Sequence, residues 1–134
     1  MAMIWSPKLA LGIESVDREH QQLVVLINEL DAAIKSGKGN QVVGGAVDRL
    51  SSYTVMHFGR EEKLFAQHGY AESAAHKLEH KAFIDKVAEF KAGLERGRLG
   101  LSYSIMTYLE EWIQKHILTV DKKYVPFMQG KGVK

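Results

Sequence analysis

His20, His57, Glu61, His76, His80 and His116 recur at helical positions that ordinarily carry apolar side chains. Each lies in a stripe spaced alternately by four and three residues, the face that a helix turns toward a core. An imidazole or carboxylate buried there without a partner costs several kcal/mol, so six of them in one core are tenable only if they meet each other or a bound cation. Taken singly, a buried histidine reads as a hydrogen-bonded core residue. Five at one height read as ligands. Glu61 follows His57 by one helical turn and sits in the same stripe, whereas Glu62 beside it reads as an ordinary surface residue. His68, just before Gly69, fits the end of a helix, where positive charge is favourable.

Four long helices must hold these groups. The first stripe is Val16, His20, Leu23, Ile27, Leu30 and Ile34; the second is Leu50, Thr54, His57, Glu61, Leu64 and His68. The third runs His76, His80, Phe83, Val87, Phe90 and Leu94, and the fourth Leu109, Ile113, His116 and Val120, with Trp112 and Ile117 alongside. Breaks fall at Ser36-Gly37-Lys38-Gly39, Gly69-Tyr70 and Gly97-Arg98-Leu99-Gly100, and no period-2 pattern suggests a strand. Asp17, Asn40, Ser73 and Ser102 stand where N-caps belong, and Gly37, Gly69 and Gly97 where C-caps belong. The expected fold is therefore all-α, an antiparallel up-down-up-down four-helix bundle preceded by a non-helical lead of about 16 residues, forming one domain over residues 1–134. Gly44-Gly45 costs about 1 kcal/mol per glycine if helical, which predicts a later start for the second helix.

Counting outward from the turns, the six stripe residues fall within about nine residues of height, roughly 13 Å along the bundle. Asp121 reaches the same height, yet lies about 140° round from His116 on an ideal helix. Both face inward only through an over-wide turn or a bend, a feature concentrated at functional sites. Otherwise Asp121-Lys122-Lys123 is a solvated helix end.

The remaining composition narrows the classes. Of 134 residues, 46% are hydrophobic and 25% charged, a globular balance. Eighteen basic residues against sixteen acidic give +2, and the scattered lysines offer no footprint for nucleic acid or an anionic membrane. The absence of cysteine removes disulfides, thiolate chemistry and iron–sulfur ligation. No apolar run is long enough to span a bilayer and the opening residues do not read as a leader, so no membrane insertion and a cytoplasmic address are expected. Gly37-Lys38-Gly39 lacks the strand and trailing Lys-Ser/Thr of a phosphate-binding loop. Phe58, Phe65, Phe83, Tyr108 and Trp112 read as core or boundary aromatics, and Trp5 as a cover for one end of the bundle.

The ordered set Asp17-Arg18-Glu19-His20, His57-Phe58-Gly59-Arg60-Glu61, His76-x-x-x-His80 and His116-x-x-x-x-Asp121 resembles the hemerythrin family. It is most similar to the short single-domain bacterial form, over nearly the whole chain, including Trp5 and the Asp121-Lys122-Lys123-Tyr124 context. The resemblance implies two non-haem irons with a bridging hydroxide or oxo group. It puts His76, His80 and His116 on one iron and His20 and His57 on the other, with Glu61 and Asp121 bridging. Coordination bookkeeping then leaves one open position, on the iron with two histidines, where family members take up dioxygen reversibly with one electron from each iron. Phe58, Trp112 and Ile113 are the implied oxygen pocket; leucine is usual at the Ile113 position.

That reading is an oxygen carrier, store or delivery protein rather than an enzyme, monomeric, with an oxygen-consuming protein as recipient. The rival is a di-iron oxidase or peroxide-consuming enzyme, although the inward Glu-x-x-His pairs of ferritin-like enzymes are absent. A third reading is an oxygen or iron sensor acting through a separate partner.

Overall fold

The computed structural model describes residues 3–37, 40–96 and 102–134. Four long helices form the body: α1 (Glu14–Lys35), α2 (Asn40–His68), α3 (Ser73–Glu95) and α4 (Ser102–Lys115). The last continues through one turn of π-helix (His116–Val120) and one of 3-10 helix (Asp121–Tyr124) into a short α5 (Val125–Gly130). Contacts run α1 to α2, α2 to α3, α3 to α4 and α4 back to α1, closing the expected four-helix bundle. No strand occurs among the described residues, and none of their helices is long and apolar enough to cross a membrane.

The stripes meet along the bundle axis. Leu23, Ile27 and Leu30 of α1, Val47 and Leu50 of α2, Phe83 and Val87 of α3 and Leu109 of α4 are all buried, and form an apolar half. The other half holds the polar stripe residues. Between them lies an aromatic layer in which Phe83 contacts Trp112 (ring centroids 4.4 Å) and Phe58 (5.7 Å).

Element boundaries follow local bonding. Gly69 (φ +72°) ends α2; its N–H and that of Tyr70 both donate to the Phe65 carbonyl, and the Phe65 and Tyr70 rings pack at 5.0 Å, a Schellman-type stop. Gly37 (φ +66°) plays the corresponding part after α1. Three expectations need correction. The lead contains a 3-10 turn (Pro7–Leu9), and α1 begins at Glu14, ahead of Asp17. Asp17 instead accepts from the Leu11 and Gly12 N–H groups (2.8 and 3.1 Å), tying the lead to the first helical turn. Ser73 opens α3 with Glu72 at the cap position, one residue earlier than expected. Finally, α2 runs through Gly44-Gly45, because burial of Val43, Ala46 and Val47 on that turn outweighs the glycine cost. Lys38-Gly39, the Gly97-Arg98-Leu99-Gly100 turn and the capping side chains of Asn40 and Ser102 lie outside the described residues.

Candidate metal centre

Seven side chains from four helices converge: His20 from α1, His57 and Glu61 from α2, His76 and His80 from α3, and, on the continuation of α4, His116 at the start of the π turn and Asp121 just after it. All are buried. The π turn explains how Asp121 arrives. Its N–H donates to the carbonyls of both His116 and Ile117, so one turn takes about five residues and His116 and Asp121 share an azimuth.

The donor atoms fall into two groups. Glu61, His76, His80, His116 and Asp121 form one; His20, His57 and Glu61 form the other. Asp121 reaches both, with Oδ1 at 2.8 Å from His76 Nε2 and 3.0 Å from His116 Nε2, and Oδ2 at 3.1 Å from His20 Nε2. Glu61 Oε1 lies 3.1 Å from His80 Nε2 and 3.6 Å from His57 Nε2. Two carboxylates that each face both groups have the geometry of bridges.

Hydrogen bonding shows what these atoms lack. The Nε2 atoms of His20, His76, His80 and His116, together with Glu61 Oε1 and both Asp121 oxygens, are buried with no hydrogen-bond partner among the described residues. So many buried polar atoms without a partner around one point are costly unless a cation takes them up. Imidazole and carboxylate donors suit a borderline or hard divalent transition metal such as iron, and the residues present fit two such ions.

Outer bonds orient the rings. His57 Nδ1 donates to Glu19 Oε1 (2.6 Å), and Arg60 holds the other Glu19 oxygen. His80 Nδ1 donates to Glu62 Oε2 (2.9 Å). An ionised carboxylate only accepts, so each Nδ1 carries a hydrogen, and Nε2 is left as the inward atom that a cation would take. Tyr124 is fully buried and donates to Glu61 Oε2 (2.6 Å). Aromatic rings pack on both sides. Phe58 stacks on His80 (3.9 Å, 5°) and Trp112 on His116 (4.3 Å, 12°), while Phe65 and Tyr124 pack against His76. Ile113, also buried, stands beside Trp112 on α4. His76 also lines a surface pocket of about 90 Å³ with Tyr70, Glu72 and Glu79.

Charge is shared unevenly across the cluster. Burial alone would raise the Asp121 carboxyl, but His116, His20 and His76 hold it well below the usual range. Burial and the Asp121 charge push Glu61 up, and His57, His80 and His20 more than reverse this. Burial would lower His20 and His80, yet both stand above the ordinary imidazole value, His20 because of Asp121 and His80 because of Glu61. Burial, then the charges of Glu61 and Asp121, drive Tyr124 well above the ordinary phenol value, so its proton stays on.

His68 ends α2 outside both groups. Sequence reasoning missed Glu19, Arg60 and Tyr124, and it read Glu62 as a surface residue although that carboxylate backs His80. The available signal was adjacency: Glu19 precedes His20 and Glu62 follows Glu61.

Comparison with known proteins agrees with this geometry. Residues 11–128 match the family model described as the hemerythrin HHE cation binding domain. A bacteriohemerythrin of Stenotrophomonas maltophilia (strain R551-3) is 33% identical, covering 91% of this chain and 78% of its own. One of Methylococcus capsulatus is 29% identical, covering 96% and 98%. The crystal structure of a wild-type hemerythrin superposes with a TM-score of 0.85 at 29% identity, covering 94% of this chain and 97% of that one.

Proposed function

The chain belongs to the hemerythrin family, and from that premise we propose that it binds dioxygen reversibly at a pair of non-haem irons, as a carrier, store or delivery protein. In this reading His76, His80 and His116 hold one ion, His20 and His57 the other, and Glu61 and Asp121 serve both. The observation that carries it is Asp121, whose two buried, otherwise unpartnered oxygens are divided between the two histidine groups.

A pair of irons held by these residues would supply the two electrons that dioxygen uptake needs. The protein supplies the surroundings. Glu19 and Glu62 fix the His57 and His80 rings with Nε2 inward, and Tyr124 holds one Glu61 oxygen in place. Phe58, Trp112 and Ile113 offer no ionisable group, so as pocket walls they exclude water and hold no proton to release reduced oxygen as peroxide. With two histidines against three, the His20–His57 side is where a bound ion would have room for an outside ligand.

Stopped-flow mixing of the reduced, iron-loaded protein with dioxygen tests the proposal. A coloured adduct that bleaches under argon and returns with fresh dioxygen supports it. Rapid conversion to an oxidised protein with peroxide in solution favours an oxidase and overturns it. Azide should bind the oxidised protein at a single site, on the His20–His57 iron.

A further inference from the structure

The two carboxylates that back the histidines follow one rule and differ in one respect. Each is the chain neighbour of a cluster residue, Glu19 of His20 and Glu62 of Glu61. One residue is about 100° of helix, so when the cluster residue faces the bundle axis its neighbour faces the adjacent helix. There it meets a histidine: α1 backs His57 of α2, and α2 backs His80 of α3. The Glu19 side chain is 11% exposed and held by Arg60, whereas that of Glu62 is 30% exposed. A charge in drier surroundings acts more strongly on its partner. The Nδ1 atoms of His20 and His116 have no hydrogen-bond partner among the described residues. On the two-histidine side, the carboxylate support of the rings therefore passes through His57 alone.

Resting on the two-cation reading above, we propose that the Glu19–Arg60 pair sets how tightly the His20–His57 position holds a metal ion, acting through the His57 ring. Glu19 is a positioning residue. Its anion draws on the Nδ1 hydrogen, raises the electron density at Nε2 and makes His57 a stronger donor. Arg60, on the other carboxylate oxygen, draws part of that charge away and weakens the effect.

The pair predicts opposite signs. The full-length protein, freed of metal, is titrated with cobalt(II) against a competing chelator. Glu19→Gln keeps an acceptor for the Nδ1 hydrogen and removes the charge. It should weaken one of the two cobalt equivalents about 10- to 100-fold and leave the other at its wild-type affinity. Arg60→Gln should tighten that same equivalent, and Glu62→Gln should weaken the other one by a smaller factor. Should Glu19→Gln fail to fold, Arg60→Gln carries the sign test alone. Weaker binding in Arg60→Gln, or wild-type affinity in Glu19→Gln with two equivalents still bound, overturns the inference and leaves the two-cation reading standing. A single equivalent in the wild-type protein removes the reading beneath it. Cobalt binding involves no dioxygen, so failure of the carrier reading is scored separately.

Discussion

Replacing Tyr124 with phenylalanine deletes one oxygen from the centre of the protein. The hydroxyl donates to Glu61 Oε2 at 2.6 Å, and both residues are buried, so no water takes its place without rearrangement. The ring remains against His76 and Phe65, so no large cavity opens. What is lost is a hydrogen bond to a buried charged acceptor, worth about 1.5–3 kcal/mol. For a chain of this length each kcal/mol moves the melting temperature by about 3.5 °C, so metal-free Tyr124→Phe should melt roughly 5–11 °C below the metal-free wild type. With metal bound, cations take up much of the Glu61 charge and the gap should shrink. The assay is thermal unfolding followed by far-ultraviolet circular dichroism, with and without chelator. A metal-free shift under about 2 °C would refute the reasoning, because a buried carboxylate oxygen would then have lost its donor at almost no cost.

His68→Ala should retain two irons per chain by metal analysis, since His68 lies outside both groups, whereas His80→Ala should lose much of its iron. Ile113→Asp should speed autoxidation of the oxygenated protein about tenfold, the equivalent of ~1.4 kcal/mol in the barrier, with both irons retained, while Ile113→Leu should change it little; a wild-type rate in the aspartate variant would remove Ile113 from the pocket. Metal uptake at neutral pH should release protons into a weakly buffered indicator solution. His20 and His80 stand above the ordinary imidazole value in the metal-free protein and give up their protons to a cation, so release should fade as pH rises past their raised values. Release that grows with pH would contradict this sign.

Much of the bundle could be read from spacing, because each helix carries one stripe and the residues that break its apolar character fall at one height. His76, His80, Phe83, Val87, Phe90 and Leu94 are all buried as their spacing requires. The helix starts were harder. Asp17 looks like a cap, but its carboxylate serves the loop before α1, a use that depends on where the lead folds back. Gly44-Gly45 looks like a break, but Val43, Ala46 and Val47 around it are buried, and that packing is not visible in the local pattern. Asp121 shows how far helical arithmetic reaches: on an ideal helix it lies about 140° round from His116, and the over-wide turn that this mismatch calls for is the π turn His116–Val120. Glu19, Glu62 and Tyr124 touch the cluster from behind, across an interhelical contact or a change of helix type. Their place depends on the rotation of neighbouring helices, which a stripe does not specify.

Dioxygen uptake per chain tests the central claim most directly. The iron-loaded protein, reduced and anaerobic, is titrated with dissolved dioxygen while iron, protein and free peroxide are measured in the same sample. The account predicts two irons and one dioxygen per chain, with the gas recovered under argon. One iron per chain, or dioxygen consumed and recovered only as peroxide, would contradict it.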